Sequence, residues 1–489
     1  MTRTLLLTLS LLLGAGCRVG VENHKFELPK RYRIPTGQAA KDVGRWWTMF
    51  GDGNLERLIQ LAFSESLSVE QARQRVEQAR QGVIAGRAVW FPSVSGSATV
   101  GRSKNILRFS LPNAAGVRVP TTISNTNNNA SLSATASWEL DFGAMYYGYK
   151  AAKHSHAAAY EQLRAAYISL VAELVDTYYR TVAARAQMKL RDQAIKNRQA
   201  QLELVERRYR VGVVTAFDLY QAKQSLATAK AEREQYFAAA KVNENALAVL
   251  CGRFPGQIDP GAIDVLPKTV RELPAVAPQK LLYTRPDLRA AHRQLLAADM
   301  QVGQAFAAHF PKLSLSFTPG YQFAPGSGFI YNVAGGLLAP IFNGGRIHAQ
   351  YKQARAKVLE QIAAFKSLLR VAVQEITVAI GQGRAYERQL RHLEDAAKSA
   401  EGALRLSTDQ YSQGLLTYIN VLTAEQAVTT ARSGLIASRQ GLIAARISLA
   451  RALGGTWVDG VIDEQEKKRR EKERKRKRET KTATAVAKR

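Results

Sequence analysis

Alternating apolar and small polar residues mark four short segments of the chain. In SLSATASWEL (131–140), Leu132, Ala134, Ala136, Trp138 and Leu140 alternate with Ser131, Ser133, Thr135, Ser137 and Glu139, the period of two that gives a strand one apolar face. VSGSATV (94–100) and KLSLSFT (312–318) alternate likewise, and FIYNVAGGLL (329–338) is compatible. The pattern predicts strands near 92–101, 131–140, 312–318 and 329–338. Lengths near ten suit tilted strands crossing an outer membrane, with Trp138, Tyr321, Phe329 and Tyr331 as its aromatic girdle. Half-buried strands of a soluble sandwich would show the same alternation.

A different period governs the stretches between. Ile168, Val171, Val175 and Tyr178 recur at helical spacing, while the other faces carry Ala, Gln, Lys, Arg and Glu, so these helices pack sideways and keep a wetted side. All fifteen prolines lie between Pro29 and Pro340, and none falls between Pro120 and Pro255 or after Pro340. Long helices can run in those two intervals. Helices over 143–211 and 345–413 would each reach about 100 Å at 1.5 Å per residue. Shorter ones are predicted over 216–250 and 417–453, and again over 69–90 and 287–310. Each long helix ends in a glycine-centred break, YRVGVVTAFDL (209–219) and YSQGLLTYINVL (411–422). These read as hairpin tips, with Gly212 and Gly414 supplying the positive φ of the reversal.

The chain is two copies of one plan. At a shift of 202, Tyr209, Gly212, Thr215 and Leu219 meet Tyr411, Gly414, Thr417 and Val421, and LCG (250–252) meets ALG (452–454). At a shift of 219, residues 66–92 match 285–311, each segment ending in Phe-Pro. The resulting organisation is a signal peptide (1–16), a lipidated segment (17–45), a first repeat (46–253), an equatorial linker (254–278), a second repeat (279–455) and a basic disordered tail (456–489). Four membrane strands cannot seal a barrel, because transmembrane barrels need about eight and open edges are not tolerated in hydrocarbon. The chain must therefore oligomerise.

Charge alters the picture less than its size suggests. A formal net charge of +29 over 489 residues would in the cytosol point to nucleic acid, but MTRTLLLTLSLLLGAGC reads as an export signal whose apolar run is too short to span a bilayer. Cys17 follows small residues as in the bacterial lipoprotein box and is the candidate lipidation site. Cys251 alone then remains, so no intrachain disulfide is expected. From 461 to 489 there are 13 Lys/Arg against six Asp/Glu and no aromatic residue; this reads as a solvated tail without the stacking platforms of single-strand binders. No P-loop, zinc-protease motif or nucleophile elbow is present. His154 and His156 stand two apart, which points them away from each other on a helix. No catalytic residue, metal or cofactor is expected.

RWWTMFGDGNLERLI (45–59), the duplicated tips, the Phe-Pro junctions at Phe91 and Phe310, and FNGGR (342–346) together resemble the TolC-type outer-membrane efflux channels, in their lipoprotein, NodT- or OprM-like branch. The resemblance implies a mixed α and β membrane protein: a homotrimer whose chains each give four strands to a 12-stranded barrel in outer-membrane lipid, continuous with a long periplasmic helical barrel. It also implies a periplasmic adaptor, an inner-membrane transporter and a passive channel that closes at its periplasmic tip. Carried onto this sequence, the gate candidates are Asp218, Tyr411, Leu416, Tyr418, Asn420 and Thr423. Leu416 stands where some relatives have a cation, so closure is expected to rest on packing and hydrogen bonds rather than an ion pair. The adaptor contact is expected on the tips, Val211, Gly212, Val213, Val214 and Thr215 with Gln413, Gly414, Leu415 and Thr417. A coiled-coil envelope lipoprotein or an adaptor without a pore is the alternative.

Overall fold

The computed structural model describes residues 44–112, 116, 118–261, 263–267, 284–455 and 457–486. Cys17, the signal segment and much of the 254–278 linker lie outside the described residues. The chain divides into two compact units, and four helices contribute residues to both.

One unit holds a four-stranded antiparallel sheet in the order β1-β2-β3-β4. Its strands are β1 (Ser93–Pro112), β2 (Arg118–Leu140), β3 (Lys312–Ala324) and β4 (Gly328–Leu338). Among the described residues, β1 and β4 are its unpaired margins. Register places Val94 opposite Ala136, Ala136 opposite Phe317 and Phe317 opposite Val333, while Trp138 pairs with Leu315 and Tyr321 with both Leu132 and Phe329. By the two-residue pleat, these share one face. The other face carries serines bonded across strands, Ser93 to Ser137 and Ser97 to Ser133, each at 2.8 Å. The apolar face is open: Val100 is 87% exposed, Val333 71% and Phe329 69%. Trp138 lies near one end of this face and Tyr321, Phe329 and Tyr331 near the other. Six residue steps along β3 lead from Leu315 to Tyr321, about 20 Å.

The first hairpin is longer than alternation predicts. β1 and β2 remain paired from Ser93/Ser137 to Pro112/Arg118, well past the expected ends at 101 and 131. The added part is polar at 102–105 and 124–129, and beyond that Leu107, Phe109 and Leu111 alternate with Arg108 and Ser110 opposite Ile123 and Val119, so the hairpin continues through a polar stretch into a second short apolar set.

The second unit is helical. A short 3-10 helix (Trp46–Phe50) is followed by α1 (Gly53–Glu65), α2 (Leu67–Ala88), α3 (Phe142–Arg210), α4 (Ala216–Leu250), α5 (Pro286–Ala307), α6 (Arg346–Ser412), α7 (Tyr418–Leu453) and α8 (Trp457–Val486). The RWWTMFGDGNLERLI stretch organises its core. Trp46 and Trp47 are buried, Gly51 closes the 3-10 helix at φ 63°, and Asp52 caps α1 by accepting from the Asn54 and Leu55 amides. The remaining Asp52 oxygen accepts from the Tyr178 hydroxyl at 2.7 Å. Leu55, Leu58 and Ile59 pack with Val171, Leu174 and Val175 of α3 and with Ile376 and Ile447. Cys251 is buried, and burial pushes its thiol up to about 11.

α8 corrects the expectation of a disordered tail. Trp457, Val458, Val461 and Ile462 are buried, and Trp457 meets Trp47 edge to face at 4.7 Å. Their spacing is one helical face. Beyond them, Glu464 pairs with Lys468 and Glu466 with Arg470, four residues apart, within a stretch of strong helix formers free of Gly and Pro.

Two glycines hold the repeat together. A Cβ on Gly252 would stand 2.1 Å from the Glu65 carbonyl oxygen, and one on Gly454 would stand 2.4 Å from that of Thr284. Gly252 and Gly454 are related by the 202 shift, Glu65 and Thr284 by the 219 shift. Each return helix thus ends against the backbone just before a short helix.

Among the described residues, no helix is long and apolar enough to cross a membrane.

Candidate functional site

The tips of the two helical hairpins bring most of the singled-out residues together. α3 and α4 are joined by 211–215, and α6 and α7 by 413–417. Both joints are the same turn. Val213 N donates to the Arg208 carbonyl and Gly212 N to that of Tyr209; Leu415 N donates to Gln410 and Gly414 N to Tyr411. These are paired Schellman closures with glycine at φ 73° and 79°, the left-handed geometry glycine adopts without strain. The helix starts also match, with Thr215 at φ −85°, ψ 161° and Thr417 at φ −84°, ψ 160°.

The capping chemistry differs between them. Thr215 and Asp218 form a reciprocal capping box: the Asp218 amide donates to Thr215 Oγ1, while the Thr215 amide and hydroxyl donate to Asp218 Oδ2 at 3.1 and 2.8 Å. Asp218 is thereby engaged within its own helix start, where its negative charge also suits the helix dipole. In the second tip, Asn420 Nδ2 donates to Thr417 Oγ1 at 2.8 Å, and the Thr417 side chain accepts no backbone amide. Thr215→Ala is therefore expected to cost about 1 kcal/mol and Thr417→Ala clearly less, read as hydrogen exchange of the first-turn amides of α4 and α7.

Behind the turns, the four helices share a small apolar cluster. Leu202 and Val205 of α3, Ala222 and Leu226 of α4, Tyr411 of α6, and Tyr418 and Val421 of α7 are buried there. The Tyr411 and Tyr418 rings stand 6.0 Å apart, and burial pushes the Tyr418 hydroxyl up to about 12. Arg208 reaches across from α3. Its guanidinium lies 4.6 Å from the Tyr411 ring centre and donates to the Tyr411 and Ser412 carbonyls at 3.1 and 3.0 Å. A cation thus satisfies the last carbonyls of α6, where the dipole favours it.

Deeper lies an ion pair that inspection of the sequence does not single out. Arg198 of α3 and Glu425 of α7 face each other at 3.7 Å, with side chains 4% and 3% exposed. At that distance the charges attract, but no hydrogen bond forms. Arg198 donates instead to the Ser225 carbonyl at 2.9 Å and to Gln426 Oε1 at 3.0 Å, joining α3 to α4 and α7. Burial raises the Glu425 carboxyl above its ordinary range, and Arg198 opposes the shift. The available signal was a mismatch in the repeat: shifted by 202, Arg198 meets Ala400 and Glu425 meets Lys223.

The remaining tip candidates lie in the two turns and on α7. Leu416 is half-buried; Thr423 is exposed and donates to the Ile419 carbonyl at 2.8 Å. Val211, Val213 and Leu415 are 72%, 68% and 69% exposed, while Val214 is half-buried. Trp138, Tyr321, Phe329 and Tyr331 belong to the sheet, in the other unit.

A family model described as outer membrane efflux protein matches residues 58–253 and 277–455, one segment for each repeat. The chain belongs to that family. This efflux protein is 29% identical to outer membrane protein OprJ of Pseudomonas aeruginosa over 430 residues, covering 86% of this chain and 88% of OprJ. It is 26% identical to the probable efflux pump outer membrane protein TtgC of Pseudomonas putida over 479 residues, covering 94% and 97%. The solved structure of the outer membrane protein VceC of Vibrio cholerae matches with a TM-score of 0.69 at 26% identity, over 85% of this chain and 100% of VceC. The efflux protein is accordingly an outer-membrane channel component of an efflux pump, a passive conduit and not an enzyme.

Proposed function

We propose that three copies of this efflux protein close a 12-stranded barrel in the outer membrane, that their long helices enclose a periplasmic tunnel, and that Cys17 carries the lipid anchor. The observation that carries this reading is the sheet. It leaves β1 and β4 as open margins and exposes an apolar face about 20 Å long between aromatic residues, a surface that suits hydrocarbon only once the margins are paired. A solid coiled coil would give no reason for such a sheet. Purified protein reconstituted in planar bilayers is expected to conduct ions. A preparation that inserts as an oligomer without conducting would overturn the channel geometry.

The tips serve as both gate and docking surface in this reading. Closure rests on packing of Tyr411, Leu416 and Tyr418 and on the Asn420 hydrogen bond, with Thr423 nearby, while Asp218 contributes through its cap. The adaptor meets the exposed apolar positions Val211, Val213 and Leu415, since apolar side chains grouped at a turn fit a protein contact better than water. Leu415→Asp places a charge in that contact. It is expected to lower export about tenfold, the loss of one central apolar contact, with unchanged oligomer yield and bilayer conductance. Full export by that variant would remove Leu415 from the docking surface.

A further inference from the structure

The match to the efflux family ends at residue 455, before α8 begins. After Ile462, the last of its buried anchors, no apolar residue occurs from Asp463 through Thr482, and residues 467–478 hold ten Lys/Arg against Glu471 and Glu473. Twelve helical residues span about 18 Å, so the excess cation density is high. The run KKRR (467–470) covers four successive 100° steps, which places positive charge on every side of the helix there and not along one stripe. Where α8 leaves the core, it forms one wall of a cleft of about 550 Å³ against the α1–α2 region. Arg73, Lys468, Arg469, Lys472 and Lys475 line it, with Glu70 and Glu471. Glu70 is held by Arg73 at 2.6 Å and approached by Arg469 at 3.9 Å, and its carboxyl is pulled down by Gln74 and Arg73 despite the opposing effect of burial.

Three chemistries fit a dense cation array, and two lack what they need. Single-stranded nucleic acid needs aromatic platforms, and the segment has none. A bilayer holds an interfacial helix by an apolar face opposite its charges, which a 20-residue apolar-free run cannot supply, so only attraction to anionic headgroups is left. A polymer bearing spaced carboxylates needs only charge, and one that surrounds the helix as a mesh uses all of its sides. We propose that the basic half of α8 binds the carboxylates of peptidoglycan and fixes the channel within the cell wall. This rests on the reading above that the helical unit lies in the periplasm.

The test uses full-length protein in detergent and insoluble peptidoglycan sacculi freed of lipid and protein. Wild type pellets with the sacculi, and the bound fraction falls steeply as salt rises, as for other polycation–polyanion pairs. A variant with Lys472, Arg474, Lys475, Arg476, Lys477 and Arg478 all changed to Gln is expected to bind at least tenfold more weakly. Amidation of the sacculus carboxylates is expected to abolish binding by wild type. Equal pelleting by the variant, indifference to amidation, or binding to vesicles of phosphatidylglycerol and phosphatidylethanolamine in place of sacculi each overturns the proposal, the last in favour of a membrane partner. Bilayer conductance is recorded on the same preparations. Wild type that conducts but does not pellet overturns this inference alone, whereas wild type that pellets but does not conduct overturns the channel geometry alone.

Discussion

Alanine at Gly454 is expected to destabilise the helical unit by about 3–5 kcal/mol, a large share of what usually holds a domain together. Two independent effects add. The residue has φ 74° and ψ −139°, a region that is nearly restricted to glycine and costs about 1–3 kcal/mol for other residues. Its new Cβ would also stand 2.4 Å from the Thr284 carbonyl oxygen and 3.0 Å from the carbonyl carbon, so backbone and not a pliable side chain would have to move. Gly252→Ala should behave alike, with φ 73° and the Glu65 carbonyl at 2.1 Å. Gly414→Ala is the control: φ is 79°, but nothing lies within 4 Å of the added Cβ, so only the strain of about 1 kcal/mol remains. Urea midpoints of the helical circular dichroism signal in detergent rank the three. Equal losses at Gly454 and Gly414 would mean that the close backbone approach has no energetic weight.

Arg198→Met is expected to cost about 3–5 kcal/mol, the usual penalty for leaving a buried charge without its partner. Glu425 would remain 3% exposed and would have to take up a proton, while the Ser225 carbonyl would lose its donor. The double variant Arg198→Met with Glu425→Leu should recover most of the loss or exceed wild type, because a well-packed apolar pair avoids the desolvation of both charges. The pH dependence follows in sign. Burial raises the Glu425 carboxyl above its ordinary 4.5, so the folded state binds this proton more tightly than the unfolded chain does. Its contribution to stability is complete in acid and declines as pH rises above that value. Without the opposing cation the decline is steeper in Arg198→Met and absent in the double variant. Midpoints measured near pH 5 and near pH 8 check this, and a pH-independent Arg198→Met would refute it.

The long helices were legible because prolines are confined to intervals that the helices avoid, and the tips because glycine breaks stand at matched positions of the repeat. The central strands were legible from alternation. Their extension to Pro112 and Arg118 was not, since the polar residues at 102–105 and 124–129 interrupt the apolar alternation and register with β1 decides their state. α8 was obscured by its own charge. The short apolar set Trp457, Val458, Val461 and Ile462 carried the signal, but it is legible only as a helix face once a core exists to receive it. At the tips, the turn and the Thr–Asp cap could be inferred locally, whereas Arg198 and Glu425 are 227 positions apart in sequence and meet only through packing of two hairpins. Gly252 and Gly454 were visible as repeated letters. Their reason, a carbonyl pressed against each, needed three dimensions.

The margins at β1 and β4 carry a consequence for biogenesis. In the trimer proposed above, a subunit whose partners have not yet arrived displays two rows of unsatisfied amides and carbonyls beside greasy side chains, a template for mispairing with any extended peptide. Its lifetime as a solitary molecule is therefore a hazard. Cells overproducing it faster than copies can meet at the membrane should accumulate clumped precursor, and holdase chaperones that shield sheet borders should matter more for its yield than those that assist helix packing.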